Sequence, residues 1–204
     1  MDFCWFSTVF SYSSAKPSQN NLEQFPVVVR MAQLKDLKGL TDLLITSFHP
    51  SHPWLSWLQP IFKLGIYEDL RTRFNSRSPY YCCLVATVLV QSSCEAEETI
   101  IGTVEVTLRP EFNSQSLYIS NLAVSLPYRR QGVARHLLLK CEQIAQEWGY
   151  QFLSLHVLED NHSARKLYLS SGYQLHSTQL TWQSLLFKSP RRLFLQKNLN
   201  SLNN

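Results

Sequence analysis

Arg129-Arg130-Gln131-Gly132-Val133-Ala134 follows the apolar run Leu117-Tyr118-Ile119-Ser120-Asn121-Leu122-Ala123-Val124 and opens a helical pattern. Strand, basic turn and helix in that order aim several backbone N–H groups and guanidinium groups at one point. A helix N-terminus leaves about four N–H groups without intrahelical partners and carries roughly half a positive elementary charge. A pyrophosphate meets both demands. Gly132 lets an anion approach the main chain closely, and Ala134 keeps the next turn small. Arg129, Arg130 and Arg135 add charge-assisted donors suited to phosphate oxygens. Pro127 ends the strand and stiffens the turn. The sequence has no Gly-x-x-x-x-Gly-Lys-Ser/Thr and no Gly-x-Gly-x-x-Gly after a strand, which argues against a P-loop and a dinucleotide fold. For the hexapeptide alone, a solvated helix start with ordinary surface arginines is the alternative.

Outward from this turn, residues 132–148 place Leu137, Cys141, Ile144 and Trp148 on one helical stripe, with Gly149 as a left-handed cap. Residues 152–157 read as a buried strand parallel to 117–124. Asn161 caps a short helix that Gly172 ends. Upstream, Phe25-Pro26-Val27-Val28-Val29-Arg30 reads as a strand, and Leu37, Leu40, Leu44 and Phe48 mark a helix. Residues 54–74 read as amphipathic, one helix or two parted near Pro60. Residues 80–90, 100–108 and 117–124 form an antiparallel meander, with an exposed hairpin loop at 92–98 and a turn around Asn113. Residues 173–180 and 185–196 make a last pair of strands.

Arg-x-x-Gly-x-Ala after Leu122-Ala123-Val124 resembles the acetyl-CoA signature of the GNAT superfamily of N-acetyltransferases. Asn161-His162-Ser163-Ala164-Arg165-Lys166-Leu167-Tyr168, followed by Ser171-Gly172-Tyr173, is similar to its second signature. Together they cover about a third of the chain. Gly102-Thr103-Val104-Glu105-Val106 and the Leu-His-Val strand look closest to the cyanobacterial and plastid branch, which acetylates protein N-termini and sometimes lysines. The resemblance implies an α/β GNAT fold: a mixed, mostly antiparallel, splayed sheet of six to seven strands with about four helices. It implies acetyl-CoA as cosubstrate, with no metal. Residues 25–204 are expected as the single acetyltransferase domain and 1–24 as a flexible tail.

An extended pantetheine arm would pair with the main chain at Asn121, Leu122, Ala123 and Val124 as an added strand, with Asn121 a bulge position that opens the sheet. The first turn at Asn161, Ser163 and Ala164 would touch the cofactor through backbone groups, and Arg165 and Lys166 would reach its adenosine phosphate or face water. The resemblance places the Tyr168 hydroxyl at the thioester sulfur, as proton donor to the departing thiolate. The alternative is a core tyrosine with a satisfied hydroxyl. Where some relatives have a glutamate, this chain has His156, whose ordinary pKa near 6.5 suits a base. Glu105 is the second candidate base. A structural histidine and a solvent-facing glutamate are the corresponding alternatives. His49 and His52 sit beside prolines with no cysteine or acid pair, so zinc is not expected. His136 is expected on the helix surface.

The chain has 204 residues and a net charge of +4, consistent with a phosphate-rich ligand and too small to argue for nucleic acid. Its five cysteines are Cys4, Cys82, Cys83, Cys94 and Cys141, without a Cys-x-x-Cys pair, as in a reducing compartment. Cys82 and Cys83 read as packing residues on opposite faces of a strand. No apolar run reaches a membrane span. A cytoplasmic monomer or weak dimer is expected, with the plastid stroma as the alternative location. The acceptor is expected to be a protein N-terminus, a lysine or a small amine such as a polyamine. Residues 54–74 and 181–187 would line its groove. A non-catalytic acetyl-CoA sensor is the rival from another class.

Overall fold

The computed structural model describes residues 8–10, 26–48, 58–76, 78–91, 96–109, 116–179 and 190–200. Its elements are β1 (Thr8–Phe10), β2 (Val27–Met31), α1 (Leu37–Phe48), α2 (Gln59–Asn75), β3 (Tyr81–Gln91), β4 (Ala96–Leu108) and β5 (Ser116–Val124), followed by α3 (Val133–Glu147), β6 (Phe152–Leu158), α4 (His162–Ser170), β7 (Gln174–Gln179) and β8 (Arg192–Asn198). Hydrogen-bonded strand neighbours run β1-β2-β3-β4-β5-β6-β8-β7. The α/β class and mixed sheet expected from the sequence are present, and β1 adds one strand to the six or seven expected. Two compact units divide the chain: Met1–Pro79, Cys83–Val104 and Asn121–Leu137 in the first, Tyr80–Cys82, Glu105–Ser120 and Leu138–Asn204 in the second.

In the first unit β2 pairs antiparallel with β1 and β3, Val28 facing Val9 and Thr87. The Leu37, Leu40 and Leu44 stripe of α1 is buried as its spacing dictates, but Phe48 is 51% exposed. Arg30 ties this unit together. Its guanidinium donates to Asp36 at 2.6 and 3.0 Å and to Glu98 at 2.9 and 3.0 Å. Burial works against the Asp36 carboxylate, yet the Arg30 bonds hold its pKa below the usual value. Glu98 thus belongs to β4 and not to an exposed loop; residues 92–95 of the expected loop lie outside the described residues.

The expectation of an amphipathic helix at 54–74 is corrected. Pro60 sits in the first turn of α2 and does not divide it. Only Leu70 is buried, while Ile61, Phe62 and Leu64 are 62%, 43% and 63% exposed. Apolar residues alone do not make a buried stripe when they cluster in one turn and a half. Residues 54–57 lie outside the described residues, as do His49, His52, Asn113 and residues 181–187.

Gly102 on β4 sets where α3 begins. A Cβ there would lie 3.1 Å from both Val133 Cγ1 and Leu137 Cδ1 and 3.3 Å from the Ala123 carbonyl. The missing side chain lets the first turn of the helix approach the sheet, with Val133 and Leu137 buried.

In the second unit β5 and β6 run parallel, with Ser116 opposite Phe152, Leu117 opposite Leu153 and Tyr118 opposite Ser154. Among the described residues their ladder ends there. β6 instead pairs along its whole length with β8, from Phe152↔Asn198 to Leu158↔Arg192. β8 lies between β6 and β7, and a bulge between Leu175 and Ser177 interrupts the outer pair. Leu138, Cys141, Ile144 and Ala145 bury the inner face of α3. Gly149, at φ 78°, ends the helix, and Tyr150 N–H donates to the Ala145 carbonyl at 2.8 Å. Cys82, Cys83 and Cys141 are buried and form no disulfide among the described residues, and burial pushes the Cys82 thiol up to about 12.

Lys197 on β8 bonds Glu142 on α3 at 2.7 Å, with side-chain exposures of 11% and 8%. A buried pair of this kind costs desolvation, but removing one partner strands the other charge. Lys197→Met should therefore destabilise the protein by about 3 kcal/mol, and Lys197→Met with Glu142→Leu should recover much of the loss. Urea denaturation of the three proteins checks this; a single variant as stable as the parent contradicts the pairing.

Candidate functional site

After β5 the chain makes a 3-10 turn at Leu126–Tyr128. Ser125 N–H donates to the Ile101 carbonyl at 2.8 Å, which anchors the turn to β4. Two side chains then brace it. Arg129 Nε donates to the Val124 carbonyl at 2.9 Å, and Gln131 Nε2 to the Pro127 carbonyl at 3.0 Å. Arg130 at φ 65° and Gly132 at φ 83° take left-handed conformations. Left-handed residues between ordinary ones turn successive N–H groups inward to form an anion-binding nest.

Among the described residues, the N–H groups of Arg130, Gln131, Gly132, Val133 and Ala134 enter no backbone hydrogen bond. Arg135 and His136 are the first to do so, both to the Gly132 carbonyl, at 2.9 and 3.1 Å. A Cβ at Gly132 would meet only His136 Cε1, at 3.9 Å, so the space above the nest is open. Arg129, Arg130, Gln131, Gly132 and Arg135 are exposed, Val133 is buried and Ala134 half-buried. Leu122 and Val124 are half-buried and Ala123 is 5% exposed. Asn121, at φ 53°, marks a departure from regular strand at the position expected for a bulge. His136 is half-buried, not a surface residue, and burial lowers its pKa.

The second unit holds the titratable candidates. Tyr118 Oη lies 3.0 Å from His156 Nδ1, at the point where the β5–β6 ladder stops. The Arg109 guanidinium sits 4.4 Å over the Tyr118 ring, and the His156 ring lies 4.9 Å from that of Phe194. Burial lowers the His156 pKa first, Arg192 and Arg109 push it the same way, and a Gln179 hydrogen bond opposes them. The imidazole is therefore neutral at pH 7. Tyr168 is 8% exposed, edge-on to Tyr173 at 5.9 Å. Burial, with Tyr118 and Cys141 nearby, pushes its phenol up to about 12, so it holds its proton. Glu105 is only 1% exposed.

The first turn of α4 is occupied by its own cap. Asn161 Oδ1 accepts from Ala164 N–H at 3.1 Å, and His162 N–H donates to the Asp160 carbonyl at 2.9 Å. Arg165 donates to the Glu159 carbonyl at 2.8 Å. Ser163 and Lys166 are exposed. Of the residues expected from the sequence, Arg130 to Ala134 carry consecutive N–H groups without backbone partners among the described residues, whereas the N–H groups of Arg129 and Arg135 are taken by the Leu126 and Gly132 carbonyls. Tyr168 and His156 are separate groups of the second unit. Sequence reading missed Tyr118, Arg109 and Arg192. The alternation of Ser116, Tyr118 and Ser120 on one face of β5 was the available signal, but only strand register reveals that Tyr118 meets His156.

β5, the turn, α3 and the parallel strand β6 make a strand–helix–strand unit of an α/β fold. The profile of the acetyltransferase (GNAT) family matches residues 48–173. The chain belongs to that family. It is 32% identical over 134 residues to GCN5-related N-acetyltransferase 10, chloroplastic, of Arabidopsis thaliana, covering 62% of this chain and 52% of the relative. Identity is 36% over 78 residues with GCN5-related N-acetyltransferase 7, chloroplastic, of the same plant, covering 38% and 28%. The chain thus spans about half or less of these relatives' length. Among solved structures, the PaiA N-acetyltransferase of Thermoplasma acidophilum in complex with coenzyme A shares the fold, with TM-score 0.63 at 18% identity over 84% of this chain and 98% of that one.

The His156 surroundings predict an NMR titration midpoint below the ordinary 6.5. Arg192→Glu should raise it, because an anion in place of a cation favours the imidazolium. A midpoint above 6.5 in the parent protein would contradict the description of this environment.

Proposed function

We propose that this protein transfers the acetyl group of acetyl-CoA to a primary amine by direct attack, with no covalent enzyme intermediate. The observation that carries the proposal is the run of open N–H groups from Arg130 to Ala134 beneath exposed arginines. A diphosphate is the ligand that satisfies them. Family membership and the coenzyme A complex of a protein of the same fold support acetyl-CoA as its bearer.

In this reading Leu122, Ala123 and Val124 offer main-chain groups to the pantetheine arm. Arg129 serves the turn, holding the Val124 carbonyl, as much as the anion. At the first turn of α4, Ser163 offers its main chain to the cofactor, while Asn161 acts as the cap that holds the Ala164 N–H. His156, neutral and oriented by Tyr118, takes a proton from the substrate ammonium. The amine lone pair forms the bond to the acetyl carbon and the carbon–sulfur bond breaks. Tyr168 gives its proton to the departing thiolate and recovers one from the acylated nitrogen. Glu105 is the second candidate base, though its burial limits it to acting through other groups.

A protein N-terminus or lysine is the proposed acceptor. The exposed Ile61, Phe62 and Leu64 of α2, in the region the family resemblance assigns to the acceptor wall, suit a peptide better than a polyamine. Small-amine acetylation is the second reading, favoured by the 26% identity to a bovine thialysine N-epsilon-acetyltransferase over 59% of this chain and 72% of the relative. Among the described residues no helix is long and apolar enough to cross a membrane. The plastid stroma is proposed beside the cytoplasm as a location because two relatives are named as chloroplastic.

Tyr168→Phe keeps the ring packed on Tyr173 and removes only the hydroxyl. It should lower kcat about 100-fold while leaving the coenzyme A Kd unchanged; full turnover would remove Tyr168 from the mechanism. Gly132→Glu puts an anion in the nest and a side chain at φ 83°. Calorimetry should then find no coenzyme A binding by a protein whose circular dichroism is unaltered. Undiminished affinity in that variant would refute the nest.

A further inference from the structure

The face of the second unit that carries Tyr118 and His156 is flanked by two cations. The Arg109 guanidinium lies 4.4 Å above the Tyr118 ring, and Tyr118 bonds His156. Phe194 is the cross-strand partner of His156, and Arg192 stands two residues from it on β8. Side chains two apart on a strand share a face, so Arg192 and Phe194 both stand on the His156 side. Arg192 is exposed, and Glu159 pairs with its neighbour Arg191 at 3.9 Å. Among the described residues neither Arg109 nor Arg192 forms an ion pair. Two exposed or half-exposed guanidinium groups without an ion-pair partner among the described residues, beside the candidate base, are an electrostatic liability for a reaction whose substrate arrives as an ammonium. A bare polycation would be repelled at each step of approach.

We propose that the acceptor is a peptide amine with an aspartate or glutamate next to the reacting residue, its carboxylate held by Arg192 and Arg109. This rests on the acetyl-transfer reading and narrows it to a substrate class. The carboxylate cancels the local positive field that opposes the ammonium. It also meets the guanidinium fork with matched geometry. Because both arginines reach water, the preference is expected mainly in KM and weakens with salt.

The test uses the full chain, acetyl-CoA and three peptides identical except for glutamate, glutamine or lysine after the N-terminal residue, with thiol release as readout. The parent protein should favour the glutamate peptide over the lysine peptide by about fivefold in kcat/KM at low salt. The ratio should fall towards one in 0.5 M salt. Arg192→Gln should shrink the low-salt ratio to about twofold, and Arg192→Lys should keep most of it. Equal rates for the three peptides, a ratio indifferent to Arg192→Gln, or spermidine outcompeting the glutamate peptide would each overturn the proposal while leaving acetyl transfer intact. Acetylation of none of these amines, in protein that still binds coenzyme A, would overturn the acetyl-transfer reading and this proposal with it.

Discussion

Backbone amides in a folded protein need acceptors, and the end of the turn between β5 and α3, from Arg130 to Ala134, leaves its amides without backbone partners among the described residues. Arg130 and Gly132 both sit in the left-handed region, which turns neighbouring N–H groups inward and away from helical partners. An arginine side chain that could have capped the turn from outside is spent on the Val124 carbonyl instead. The first unit is arranged around keeping this turn in place. Gly102 admits the first turn of α3 to the sheet, Ser125 anchors the strand end to β4, and Gln131 braces the turn from its own side chain. Such preorganisation matters because a site that must order itself upon binding loses affinity in the process.

The second unit has its own logic. β6 shares only three residue pairs with β5 and seven with β8. A strand held firmly on one side can stop pairing on the other without losing its backbone partners. Tyr118 stands at that stopping point, a buried ring whose hydroxyl lies 3.0 Å from the His156 imidazole nitrogen. Burial and two arginines keep His156 neutral, and burial keeps Tyr168 protonated. One environment favours an acceptor of protons and the other a donor, the division of roles that the proposed acetyl transfer needs.

The fold was legible wherever local chemistry decides structure. The stripe Leu137–Cys141–Ile144, the Gly149 and Gly172 ends, the Asn161 cap and the glycine of the nest were each readable from a few consecutive residues, and each is where it was expected. What was not legible depends on register or on partners far along the chain. Tyr118 and His156 are 38 residues apart, and nothing local pairs them. The placement of β8 between β6 and β7 is likewise a property of the whole sheet. Helix α2 misled because Ile61, Phe62 and Leu64 look like core in a one-dimensional reading, while only Leu70 is buried. Arg129 reads as an anion donor or a surface arginine, and neither reading reveals that its Nε closes the turn.

The occupant of the amides from Arg130 to Ala134 decides what the turn is for. A crystal structure of the protein with coenzyme A tests this most directly. Diphosphate oxygens within hydrogen-bonding distance of the Gln131, Gly132, Val133 and Ala134 N–H groups are the predicted result. A diphosphate bound elsewhere, with those amides satisfied by protein carbonyls, would contradict it.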